Sequence, residues 1–281
     1  MQKAKNIVII SPFFFPEPIS TGKFNTDVAL KLQEEGHQVT VLCSHPFYPD
    51  WKTRYSSEKL EGITIIRGGN KIKYPNKISL RRIVLEIWYA LFILKNIKKH
   101  QNKIDVIIPV FPPSLAFYTA SFFIKKEIKK IGIIHDLQII YSSQKKGLFN
   151  KLITFFIKRV EKSCFKTCDT LIFLSEEMKN AALDIYKISK IKCQVQFPFT
   201  TIKEKSLSNN LKDILPDKQF NIVYSGALGE KQNPKELLNV YDYISKKIPN
   251  TSCYFFSQGP IFEELKKVNS NKMIQFHPLV R

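Results

Sequence analysis

Several things are scarce in this 281-residue chain, and each shortage closes a class of function. The five cysteines, Cys43, Cys164, Cys168, Cys193 and Cys253, are odd in number and include no Cys-x-x-Cys pair. With no signal peptide at the start, that pattern predicts unpaired thiols in a reduced, cytosolic setting. The five histidines are scattered, none at ligand spacing from a cysteine or another histidine, so no metal is expected. No apolar run reaches the ~20 residues that a bilayer-spanning helix needs. No recognisable nucleic-acid-binding motif is present, so nucleic acid is not expected as a partner. Acidic residues complete the list: 24 Asp and Glu stand against 44 Lys and Arg, a formal net charge of +20.

That charge has more than one reading. Lysine is spread over nearly every segment, as on an ordinary solvated surface. The same charge also suits anionic membrane lipid or a pyrophosphate-linked substrate. Charge alone does not choose between them.

What is present is a globular composition, 44% hydrophobic, arranged as apolar runs alternating with helix-length segments. Ile7 to Ile10 reads as a strand, followed by the loop SPFFFPEPISTG and a helix over roughly Lys23 to Glu35 that Gly36 stops. Val39 to Cys43 closes the first βαβ unit. Further strands are expected at Ile63 to Arg67, Ile104 to Pro109, Ile131 to His135 and Thr170 to Leu174. Their β-branched, near-continuous apolar character fits strands buried on both faces of a parallel sheet. Helices are expected over Leu80 to Lys99, Ser114 to Lys130 and Leu148 to Lys166. The βαβα order predicts a doubly wound α/β sheet.

Residues 197–218 break the rhythm. They are polar, carry Pro198 and Pro216, and read as a linker between an N-terminal domain over 1–196 and a second one over 219–281. In the second, strands at 220–225, 252–257 and 273–276 alternate with helices at 234–247 and 260–268. A Rossmann-like domain usually needs on the order of 120–150 residues, so about 62 residues make the second one partial.

The segment Phe220 to Leu238 is the most informative stretch. A strand ends in Ser225, two glycines, Gly226 and Gly229, form a turn, and Asn233 with Pro234 opens a helix. Such a strand–turn–helix start presents backbone N–H groups to a phosphate, and the Lys231 ammonium could reach the same anion. Two other segments, Ser79 to His100 and Leu148 to Arg159, are apolar and basic together. Either they are ordinary crossover helices, or they form a basic amphipathic surface on a cytoplasmic leaflet. Glu86 alone interrupts the apolar part of the first.

Four stretches, NIVIISPFFFPEPISTGKF, EEGHQVTVLCSHPFYPDW, IIHDLQ and IVYSGALGEKQN, resemble family 4 glycosyltransferases of GT-B fold. The resemblance runs over almost the full length and is strongest to the branch that makes cell-surface polysaccharides of the colanic-acid and O-antigen type. It implies a full N-terminal Rossmann-like domain and part of a second, closing over a nucleotide-sugar donor. It also implies a retaining transferase without a metal or other cofactor, its acceptor a polyprenyl-pyrophosphate-linked glycan at the inner membrane face, where the protein would sit peripherally. By the same resemblance, Gly22, Gly226 and Lys231 would meet the donor, and His135 or Asp136 would lie beside the reacting sugar. Lys23, with Tyr48 and Trp51 of the Pro-Tyr-Tyr-Pro-x-Trp-like loop, would meet the acceptor. Tyr48 and Trp51 read equally well as a plug of the domain base.

Two departures stand against full activity. Ala227 occupies the position where many family members carry an arginine, and no two glutamates are eight apart, so the family's Glu-x7-Glu pair is missing. The alternative is a truncated non-catalytic paralogue, or half of a split enzyme that binds membrane or a partner chain. In the split case a second polypeptide would complete the donor domain.

Overall fold

The computed structural model describes residues 3–17, 19–142, 148–198, 214–216, 220–226, 228–229 and 232–279. The chain divides into two compact units, Met1–Ile202 and Lys203–Arg281. The segment read as a linker lies mostly outside the described residues.

The first unit is a seven-stranded parallel sheet in the order β3-β2-β1-β4-β5-β6-β7. Its strands are β1 (Asn6–Ile10), β2 (Gln38–Ser44), β3 (Ile63–Gly68), β4 (Val106–Phe111), β5 (Lys129–Ile134), β6 (Thr170–Phe173) and β7 (Cys193–Val195). The helices between them are α1 (Ser20–Glu34), α2 (Ile78–His100), α3 (Leu115–Ser121), α4 (Gln138–Ser142), α5 (Leu148–Thr167) and α6 (Glu176–Tyr186). Alternation along β1 shows why both faces need covering. Ile7 and Ile9 enter the core beneath α1, with Phe24 and Ala29. Val8 and Ile10 enter the opposite core, formed with Leu85, Tyr89 and Ile93 of α2, Phe117 of α3 and Phe165 of α5. A period of two thus feeds two apolar layers from one strand.

The helix expected over Ser114 to Lys130 is a correction. Only Leu115–Ser121 is helical, and Lys129 already belongs to β5, paired in register with Val106 of β4. The apolar spacing of Phe122, Phe123 and Ile124 imitates a continuing helix. Sheet pairing decides instead: a turn intervenes, with Phe123 N–H donating to Ala120 O at 2.9 Å. The sequence reading did not place α4, α6 or β7. Helix α6 had a legible start, since Ser175 caps it by accepting from the Met178 N–H at 3.1 Å.

The second unit is a three-stranded parallel sheet, β10-β9-β8, with β8 at Phe220–Ser225, β9 at Thr251–Ser257 and β10 at Ile274–Pro278. Helices α7 (Pro234–Lys247) and α8 (Pro260–Val268) cover one face, where Tyr241, Cys253, Phe255, Phe262, Leu265 and Ile274 form the core.

Candidate functional site

In the first unit, strands to the two sides of the sheet diverge in order between β1 and β4. The loops at the carboxyl ends of these neighbours part there, and in open parallel sheets that crevice is where ligands bind. The residues around it are held from three directions.

The loop after β1 is anchored by α1. Ser11 is fully buried and its Oγ accepts from Asn25 Nδ2 at 2.9 Å, while the same nitrogen donates to Phe13 O at 3.2 Å. Gly22, in the first turn of α1, packs against that loop. A Cβ there would lie 3.1 Å from Glu17 O and 3.3 Å from Glu17 Cβ. The close approach that its missing side chain permits is therefore to the chain's own loop. Lys23, the next residue, is exposed.

Glu17 joins this loop to the next one. Its side chain is 3% exposed, and its carboxylate accepts from the Phe47 N–H at 3.1 Å and the Tyr48 N–H at 2.5 Å. Burial is the main influence and raises its pKa to about 7, against the pull of those two backbone donors. Sequence reading passed over Glu17; its only signal was a lone carboxylate between two prolines in an apolar loop.

The loop after β2 carries the aromatic residues. Phe47 is fully buried and touches Phe13, Trp51 and Tyr74 with ring centroids 5.3, 5.1 and 5.0 Å away. Trp51 meets Tyr74 edge-on at 5.2 Å, and the Arg81 guanidinium sits 4.5 Å above its ring. Trp51 is thus a packing element under the loop. Tyr48 is half-buried and its backbone hangs on Glu17.

His135 and Asp136 follow β5. The His135 N–H extends the β4–β5 ladder by donating to Phe111 O at 2.9 Å, and its ring meets Phe24 of α1 edge-on at 5.0 Å. Burial lowers its pKa to about 4, so the imidazole is neutral near pH 7. Its Nε2 is buried and has no hydrogen-bond partner among the described residues, as is also true of Asn25 Oδ1 and Ser114 Oγ. These three atoms come from α1, the loop after β4 and the residue that follows β5. Asp136 Oδ1 accepts from the Leu137 N–H at 3.0 Å, which turns the chain into α4.

Beneath this segment lies a buried polar network. Glu161 of α5 accepts from the Gln138 N–H at 3.0 Å and from the Tyr186 hydroxyl. Glu86 of α2 accepts from Gln138 Nε2 at 3.0 Å and from the Leu115 N–H at 2.9 Å. Two carboxylates thus meet the free N–H groups that open α3 and α4. Burial raises both, Glu161 to about 7. Glu86 had announced itself as the one charge within the apolar stretch of its helix; nothing in the sequence pointed to Glu161.

The structure therefore links Gly22, Glu17 and Tyr48 by contact, and joins the first turn of α1 to His135 through Phe24. Trp51 meets that group through Phe47.

In the second unit, β8 ends at a turn of a different kind. Gly226 has φ +148°, a conformation that side chains oppose, and among the described residues no atom beyond its chain neighbours lies within 4 Å of where a Cβ would be. Its N–H donates to Phe256 O at 3.0 Å. Gly229 N–H donates to Gln232 Oε1 at 2.9 Å, closing the turn before Asn233 and Pro234 start α7. Gly226 thus holds a left-handed bend with open space over it, unlike Gly22. Lys231 lies outside the described residues.

Comparison with known proteins bears on these features. The profile of Glycosyltransferase Family 4 matches residues 21–198. A colanic acid biosynthesis glycosyl transferase named WcaI, from Escherichia coli (strain K12), is 24% identical over 264 residues, which make up 85% of this chain. The chain spans 62% of the length of that relative. Sucrose-phosphate synthase from Thermosynechococcus elongatus superposes with a TM-score of 0.69 at 14% identity, over 98% of this chain and 71% of that one. The catalytic domain of starch synthase IV from Arabidopsis thaliana, solved with ADP and acarbose, gives 0.62 at 11% identity over 99% and 75%.

Proposed function

We propose a sugar-transfer function for this chain, which belongs to Glycosyltransferase Family 4 and has the α/β fold of GT-B type. In this reading a sugar moves from a nucleotide-sugar donor, with retention, to a polyprenyl-pyrophosphate-linked or polysaccharide acceptor in cell-surface glycan synthesis. The observation that carries the proposal is His135. It is a neutral, half-buried imidazole at the carboxyl end of a parallel sheet, with an Nε2 that has no hydrogen-bond partner among the described residues. A neutral ring cannot act as a strong acid, but it can exchange a hydrogen bond with a sugar hydroxyl.

The other roles are proposed beside it. Asp136 is the polar neighbour of the reacting sugar. Gly226, whose bend leaves its surroundings open, gives a diphosphate access to backbone N–H groups, and Lys231 neutralises charge as the diphosphate leaves. That charge stabilisation is the largest catalytic contribution expected, and it uses no metal. Gly22 shapes the loop that presents Glu17, and Lys23 is the exposed cation of the same turn. Tyr48 offers its half-buried ring to the acceptor, while Trp51 supports the loop from below. The colanic-acid relative supports the choice of a surface glycan.

The test is isothermal titration of the purified chain with UDP-GlcNAc and GDP-fucose, then transfer assays on whichever binds. His135→Ala is expected to lower the transfer rate by about 10²-fold with donor affinity little changed. A folded chain that binds neither donor, or a His135→Ala variant with full activity, removes this reading.

A further inference from the structure

The outer faces of α2 and α5 are apolar where a surface helix is ordinarily polar. On α2, Leu80, Ile83, Ile87 and Leu91 recur at three- and four-residue spacing and all are exposed, Leu91 by 65%. They lie opposite Leu85, Tyr89, Ile93 and Ile97, which face the core. On α5, Leu152, Phe155 and Phe156 are exposed, the two rings by 58% and 57%, again opposite the buried Glu161, Cys164 and Phe165. Helix α3 packs against both, so all three form one layer on one face of the sheet. Phe122, just past α3, is 69% exposed, and Lys98 of α2 stands 3.9 Å over the neighbouring Phe123 ring. That contact ties the segment after α3 to α2.

Charge follows the same geometry. Helix α2 carries Arg82, Lys95, Lys98 and Lys99 besides Arg81, which is turned onto Trp51, and α5 carries Lys151, Lys158, Arg159, Lys162 and Lys166. Each helix has one acid, and both acids, Glu86 and Glu161, turn inward to backbone N–H groups. Among the described residues none of the ten cations forms an ion pair. Large aromatic and aliphatic side chains rimmed mainly by positive charge, with Glu127 the exposed acid of the turn after α3, fit an anionic bilayer surface. A protein partner would have to match the charge and the apolar stripe together. No described helix is long and apolar enough to cross a membrane, so the fitting mode is lying on the surface.

We propose that this α2–α3–α5 face docks the protein on anionic lipid, with Ile87, Leu91, Phe155 and Phe156 entering the headgroup boundary. The inference does not rest on the transfer reaction, because lipid binding is measured with no nucleotide sugar present.

The experiment is co-sedimentation of the full chain with phosphatidylcholine vesicles, with and without about one third phosphatidylglycerol, at low salt and at about 0.5 M salt. Binding is expected with phosphatidylglycerol and is expected to weaken with salt. Ile87→Asp/Leu91→Asp and Phe155→Ser/Phe156→Ser should each lower partitioning at least about tenfold. Binding that both variants retain in full overturns the proposal, as does a dimer in sedimentation velocity that the α2 variant dissociates. Should a variant misfold, hydrogen exchange of the parent chain on vesicles decides. Protection confined to 80–99, 122–126 and 151–162 upholds the docking face, and protection elsewhere overturns it.

Discussion

Replacing Glu17 by glutamine should change how the stability of the first unit depends on pH. The carboxyl is buried under the loops after β1 and β2, and its pKa rises from 4.5 to about 7. Below pH 4.5 it is protonated in folded and unfolded chains alike. As pH rises, the unfolded chain ionises first and is relatively favoured, so native stability falls from about pH 4.5 and levels off above about pH 7. A shift of about 2.5 units corresponds to about 3.4 kcal/mol at full extent. Between about pH 5 and pH 8 the linkage integral gives about 2.5 kcal/mol of that. Glutamine keeps the shape and an acceptor for Phe47 and Tyr48 but does not titrate. The stability of the parent relative to Glu17→Gln should therefore fall by about 2.5 kcal/mol from pH 5 to pH 8. Taking the difference cancels Glu161, which titrates in both proteins. The assay is urea unfolding followed by tryptophan fluorescence. Trp51 and Trp88 are the only tryptophans in the chain, both lie in the first unit, and Trp51 touches Phe47, which Glu17 holds. A parent–variant gap that stays constant within about 0.5 kcal/mol across this range would refute the argument. It would mean that water reaches the carboxylate and that the two loops part in solution.

The remaining expectations concern the supports of the site. Tyr186→Phe removes the hydroxyl that Glu161 accepts from and should destabilise the first unit by about 1–3 kcal/mol. Because that donor favours the ionised carboxylate, the loss should be larger at pH 8 than at pH 5, again read from urea midpoints. Gly226→Ala places a Cβ in open space but forces a side chain onto φ +148°. Strain alone should cost about 1–3 kcal/mol, seen as faster amide exchange in β8 and β9; unchanged exchange would show that the turn relaxes freely.

Much of the architecture was legible because it is local. Strands β1, β2, β4 and β6 are β-branched runs with no charge inside them, and burial on both faces of a parallel sheet permits little else. The turn at Gly226 was legible for a related reason: a strand, two glycines, then Asn-Pro can do few things but bend and restart. The end of α3 was not legible, because Phe122 and Phe123 fit a helix period and only pairing of Lys129 with Val106 assigns the following residues to β5. Gly22 and Gly226 look alike in sequence. Their surroundings separate them, one packed on Glu17 and the other open. Apolar, lysine-rich helices could be read from α2 and α5, but not which stripe faced the core. That depended on where the inward-turned Glu86 and Glu161 found their backbone partners. The amino-acid order by itself fixed the alternation of strand and helix, the positive charge and the places where glycine permits a bend, since each depends on neighbours in the chain. Tertiary structure alone decided that Glu17 clamps two loops, that His135 is neutral with an unpartnered Nε2, and that two helices turn apolar faces outward. Burial, pKa and exposure are properties of residues far apart in sequence, and only packing brings those residues together.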